Sequence, residues 1–233
     1  MPRGMLALGT GTVLVALAGC ASVIETPDTV ARGAVEDGRC SGPQSLICAF
    51  VNSPVRVDGD AVILPGREFQ FFHTAHELTF IDSQGAEWIA PTETLTDGAS
   101  IPPMFVSLVG APTSREFVNA AAVHDAYCGI GNETGPKYQQ AHWEDVHRMF
   151  YEALIVGGTP RAKAGIMYSA VWLGGPRWNI PVSRNLNTVP TSSKQRALRR
   201  TIDFIEREEP NFEELHDYLW WEEKKMRRQH PVF

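Results

Sequence analysis

The chain has no excess of positive charge. Its 21 lysines and arginines stand against 27 aspartates and glutamates, a net charge of −6 over 233 residues, and no basic stripe is interleaved with aromatics, which argues against a nucleic-acid surface. The basic clusters Arg199-Arg200 and Lys224-Lys225-Met226-Arg227-Arg228 lie among acidic residues in helix-forming sequence and read as solvated helix faces. The apolar run from Leu6 to Leu17 falls short of the ~20 residues that span a bilayer. There is no internal repeat, no His-Glu-x-x-His and no Gly-x-Ser-x-Gly, so a repeat array, a zincin helix and a nucleophile elbow are all lacking. Ser100 is thereby left to cap the short helix after Pro102 or to close the turn at Asp97.

What is present fits one globular domain: 43% of residues are hydrophobic and 21% charged. Residues 21–45 are small, polar and weakly periodic and read as a tether; residues 46–233 read as the domain. From Val51 to Pro91 short β-rich runs alternate with turns. Asp58-Gly59-Asp60 between Val55–Val57 and Ala61–Leu64 signals one hairpin, and Ser83-Gln84-Gly85 between Leu78–Ile81 and Glu87–Ile89 a second. Beyond Pro103 the apolar spacing becomes helical. Phe117, Ala120, Ala121, His124 and Cys128 share one face; Tyr138 to Ile155, Ala162 to Leu173, Ser193 to Glu208 and Phe212 to Arg228 follow, parted by Gly-Gly and Pro breaks. The predicted class is α+β, a small antiparallel sheet followed by a helical body of about five helices.

Two motifs about twenty residues apart concentrate the polar chemistry: Thr96-Asp97-Gly98-Ala99-Ser100-Ile101-Pro102 and Ala120-Ala121-Ala122-Val123-His124-Asp125. Burying a His-Asp pair in an apolar helix costs several kcal/mol (roughly) unless both groups find partners. Adjacent helical side chains diverge by about 100°, so His124 and Asp125 cannot serve each other. Asp97 from the loop and His147 from the next helix are the candidate partners, with His142 a spare. His124, Asp125, His147 and Asp97 are also suitable nitrogen and oxygen ligands for zinc. The bland alternative is a structural network, in which Asp97 bonds loop amides and Asp125 caps or pairs with Arg148.

Three resemblances add to this. Leu17-Ala18-Gly19-Cys20 after the apolar run resembles the lipobox of bacterial lipoproteins. The resemblance implies a cleaved signal peptide at 1–20, lipids on Cys20, and, with Ser22 where an aspartate would retain the chain, the periplasmic face of the outer membrane. An exported chain meets oxidising conditions. Cys40 and Cys48 flank a short loop and form one candidate disulfide; Cys128 is then a buried thiol or the partner of either. Next, the order of Thr96–Pro102, Ala121–Tyr127, Arg148–Leu154 and Met167–Val171 resembles the bacterial and phage domain-of-unknown-function family 1353, over roughly 55–178, with the 193–228 helices beyond it. Where that family has an aspartate three positions before the phenylalanine, this chain has His147. Finally, the His-Asp pair resembles that of secreted phospholipase A(2). By that resemblance His124 would be the general base, Asp125 a calcium ligand completed by the loop at Asp97-Gly98, and Asp145 or Glu144 the orienting carboxylate; the enzyme's paired cysteines and Tyr-Gly-Cys calcium loop are missing.

The expectation is therefore a lipid-anchored envelope protein of unestablished activity with a buried His/Asp site. The alternative is a metal-assisted hydrolase, phospholipase-like or cell-wall-directed, with His124 and Asp97 catalytic and Asp125 and His147 binding calcium or zinc. Its partners would be the membrane, through the N-terminal lipid, and an envelope component. Among Trp172, Trp178, Trp220 and Trp221, the last two occupy adjacent helical positions and cannot both point inward, so one of them would meet a partner or a bilayer.

Overall fold

The computed structural model describes residues 31–36, 39–42, 48–67, 69–98, 101–109 and 115–231. The expected signal segment with Cys20, and Ser100, lie outside them.

Strands come first and helices after, an α+β arrangement. β1 (Ala31–Glu36), β2 (Arg39–Gly42), β3 (Cys48–Val51), β4 (Val57–Val62), β5 (Phe71–Thr74), β6 (Leu78–Ile81), β7 (Glu87–Ala90) and β8 (Leu95–Thr96) form two antiparallel sheets. Their orders are β2-β1-β3-β6-β7 and β4-β5-β8. The stretch read as a tether thus carries two strands, with β1 extending the sheet beside β3.

The β6–β7 hairpin forms as its alternation dictates. Phe80 lies opposite Trp88 and Leu78 opposite Ala90, and these four side chains are buried. Its turn is built by Asp82. One carboxylate oxygen accepts the amides of Gln84 and Ala86 at 2.9 Å and the other accepts Trp88 Nε1 at 2.8 Å. The Asp58-Gly59-Asp60 hairpin does not form. Gly59, at φ 75°, sits inside the single strand β4, which pairs with β5 across an irregularity between Asp58 and Val62. Residues 57–61 are exposed, so a local hairpin would have had no apolar face to bury.

The helical body consists of a four-residue α1 (Val106–Val109), then α2 (Arg115–Cys128), α3 (Trp143–Val156), α4 (Arg161–Gly174), α5 (Thr191–Glu208) and α6 (Phe212–Gln229). Prolines set two starts, since Pro160 and Pro190 precede α4 and α5. Asn211 caps α6 through a reciprocal box, its side chain accepting the Glu214 amide while Glu214 accepts the Asn211 amide. α3 begins at Trp143 rather than Tyr138, because Gln139 adopts φ 55° and gives its amide to the Tyr127 carbonyl. No helix among the described residues is long and apolar enough to cross a membrane.

α3 sits at the centre, against α2, α4 and the β1–β2 pair. Every residue from Met149 to Val156 is buried. Two ties bind α2 to the strands: Tyr127 Oη accepts the Ile89 amide, and Asn132 just after α2 exchanges two 2.8 Å bonds with the backbone of Leu95.

Asp82→Ala is expected to cost about 3 kcal/mol, because three donors lose a charged acceptor and Trp88 Nε1 is left buried. Urea unfolding monitored by fluorescence would measure it; a loss within error of zero would mean that water replaces the carboxylate.

Candidate functional site

His124 and Cys128 lie one turn apart near the end of α2, so their side chains stack along one face. His147 comes from the second turn of α3. The exposures are 2% for His124, 6% for Cys128 and 0% for His147. The helix–helix contact brings His124 Nε2 to 3.0 Å from His147 Nδ1, and Cys128 Sγ lies 3.4 Å from His124 Nε2. Sγ is also 3.5 Å from the His124 carbonyl.

Aromatic groups close the site. Phe150 packs against the His124 ring with centroids 4.6 Å apart, and Trp143 meets His147 edge-on at 5.6 Å. Behind Trp143, the buried Arg177 guanidinium lies 4.3 Å over the indole and pairs with Glu223 at 3.1 Å. The end of α4 forms another wall: a Cβ on Gly175 would come within 3.3 Å of His147 Cε1 and 2.4 Å of the Val171 carbonyl.

Burial sets the protonation. Desolvation lowers the His124 pKa to about 3. It lowers His147 well below its ordinary value too, helped by the nearby charges of His124 and Arg177 and opposed by the Pro176 carbonyl. Desolvation, and then the Asp125 carboxylate, push the Cys128 thiol well up. All three groups are thus neutral near pH 7, and one ring of the His124–His147 bond donates while the other accepts.

The site differs from the expected set in its composition. His124 and His147 come together as expected, but the third member is Cys128: one ligand atom from each of the three lies within 4.8 Å of the others, and neither Asp97 nor Asp125 contributes to that group. Asp125 is buried beside it, its carbonyl accepting Gly129 N and Asn132 Nδ2. Asp97 is half-buried and lines a different cleft with Arg67, Phe71, Ile101 and Val106. The proposed orienting carboxylates are engaged elsewhere, Asp145 with Arg148 and Glu144 with Arg184. His142 is exposed at the start of α3, and His73 and His76 face the backbone carbonyls of Glu93 and Asn52.

Cys40 and Cys48 are joined as a disulfide, which leaves Cys128 a buried free thiol. The carboxylate of Glu152 lies 3.3 Å from the Cys40 sulfur and accepts the amide and hydroxyl of Ser83. Cys40, Cys48 and Glu152 also lie within ligand distance of one another, but the disulfide removes both thiolates from metal chemistry. The signal that could have marked Cys128 as a site residue is its four-residue spacing from His124. Arg177 carries no such signal, since it follows a Gly-Gly-Pro turn and meets the site across elements, over Trp143 of α3 and paired with Glu223 of α6.

Residues 72–171, which include the whole cluster, match the profile of a family described as protein of unknown function (DUF1353). Two relatives from Sinorhizobium fredii resemble the chain. The uncharacterized protein y4iH is 37% identical over 106 residues, 46% of this chain and 41% of that protein. The uncharacterized protein y4jT is 38% identical over 122 residues, 52% of this chain and 34% of that protein. The chain thus spans less than half the length of either. No solved structure matches.

A histidine whose folded pKa lies below its unfolded value binds its proton more readily in the unfolded chain, so stability is lost as pH falls through the window from about 6.5 towards 3. In chelator-treated protein, His124 alone is expected to remove about 2 kcal/mol between pH 7 and pH 5, with His147 acting in the same direction. Urea unfolding across that range checks it; a His124→Asn variant with an undiminished slope would show that other groups carry the dependence.

Proposed function

We propose that this chain is a lipid-anchored envelope protein, held at the periplasmic face of the outer membrane through Cys20, whose domain binds one transition-metal ion, zinc first, through His124, Cys128 and His147. The observation that carries the metal reading is the convergence of two imidazole nitrogens and one sulfur within 4.8 Å of one another. On one tetrahedral zinc, two nitrogens stand about 3.3 Å apart and a nitrogen and a sulfur about 3.6 Å. The atoms here stand at 3.0 and 3.4 Å. Both imidazoles are held neutral, the form that ligates, and binding would expel the thiol proton of Cys128.

The donor set favours zinc over calcium, which takes oxygen ligands. It also bears on the hydrolase alternative. A catalytic zinc needs a position open to water and substrate, whereas these three groups are buried under Phe150 and Trp143. The burial favours a metal that fixes α2 against α3.

The test is elemental analysis of residues 21–233, with cobalt substitution as the second readout. About one zinc per chain is expected, with a thiolate-to-cobalt absorption band that disappears in Cys128→Ser while the protein stays folded. No bound metal after growth with zinc, and no change of melting temperature on adding zinc to the chelated protein, would leave the cluster as a structural network. Anchoring is tested separately by the mass of the chain recovered from membranes: acylation predicts diacylglyceride and acyl mass on a fragment beginning at Cys20.

A further inference from the structure

α6 leaves an unusual surface from its midpoint onward. Trp220 and Trp221 are 38% and 53% exposed, and Val182, in the short turn Val182–Arg184, is 69% exposed. Arg227 gives a hydrogen bond to the Ser183 carbonyl, which holds that turn against α6 and places Val182 beside the tryptophans' helix. Each indole carries cations: the Arg184 and Arg227 guanidiniums lie 5.6 and 5.5 Å from Trp220, and Lys225 Nζ lies 4.8 Å from Trp221.

Arg184 and Arg227 are balanced by Glu144 and Glu223, so the surface charge of this face comes from Lys224, Lys225 and Arg228. Glu222 and Glu223 are fully buried, one paired with Arg200 and the other with Arg177 and Arg227. Lys224 and Arg228 are exposed, and Asp217 is the exposed acid one turn before the tryptophans. In a chain of net charge −6, this is a local cationic face with apolar tips.

We propose that this face docks on a bilayer containing anionic phospholipid. Tryptophan rings belong at the headgroup level, where the indole body is apolar and its edge is wet. Lys225 beside Trp221, with the exposed Lys224 and Arg228, adds attraction to anionic headgroups. Exposed indoles on a helix face with an exposed valine beside them suit a planar lipid surface better than a peptide, which needs a groove to bury its anchors. The apolar run ending at Cys20 is a separate reason to place the chain at a membrane. The docking does not depend on acylation, and the test separates the two.

Residues 21–233 contain every described element and lack Cys20. This protein is sedimented with vesicles of phosphatidylcholine alone and of phosphatidylcholine with phosphatidylglycerol. Binding to the mixed vesicles is expected, with a blue shift of tryptophan emission, little binding to phosphatidylcholine alone, and release at high salt. Trp221→Ala and Val182→Asp are expected to weaken the partition coefficient, and Lys225→Gln to weaken it about fivefold. All three sites are surface positions, and unchanged melting temperatures would show that the fold is kept. No binding to the mixed vesicles, equal binding to both vesicle types, or variants that bind as the parent does would overturn the proposal. So would self-association by sedimentation velocity that Trp221→Ala abolishes together with vesicle binding, since the face would then be an interface between two copies. Any of these failures leaves acylation of Cys20 in the full chain untouched.

Discussion

Everything in this fold depends on a helix whose second half has no free side. From Met149 to Val156 every residue of α3 is buried, so this half of the helix is enclosed by α2, α4 and the strands rather than laid across a sheet. A polar side chain on such a helix must find its partner inside the protein. His147 finds His124 on α2, and Glu152 finds Ser83 in the β6–β7 turn beside the Cys40–Cys48 bridge. These two contacts, one turn and a half apart on α3, join the helical body in one direction and the sheet in the other.

This arrangement explains why the His/Cys cluster is so deeply placed. Neutral imidazoles tolerate burial far better than charged ones, and a neutral thiol behaves almost as an apolar group. The cluster therefore costs the domain little while it stays uncharged. The same property suits it to a soft metal, whose ligands must be neutral imidazole and thiolate. Arg177 adds a fixed positive charge behind Trp143, which together with burial disfavours a second proton on His147.

The sequence revealed the parts whose local and tertiary preferences agree. The Leu78–Ala90 hairpin has both alternation and turn chemistry, and the five long helices have apolar stripes ended by proline or glycine. The Asp58-Gly59-Asp60 signal misled because turn chemistry is only half of a hairpin, and no apolar face supported it. The site was half legible. His124 and His147 could be paired from helix order alone, since a short connection makes neighbours of α2 and α3. Asp97 and Asp125 were drawn in by nearness in sequence, whereas the third group, Cys128, is near in the helical repeat. Asn132 and Arg177 were invisible, because each acts across elements that no local pattern relates. The adjacency of Trp220 and Trp221 was read correctly as forcing exposure, but the cations that flank them come from two separate segments.

One wall of the cluster is made of backbone. At Gly175 the space that a methyl group would occupy already holds the Val171 carbonyl and the edge of the His147 ring. The position of that imidazole is therefore held partly by the absence of an atom at the end of α4. Over evolutionary drift, residue 175 is a place where the smallest of side chains would push on the ring from outside the two helices that carry the cluster. A residue that contributes no side chain to the site thus limits the site's tolerance to sequence change.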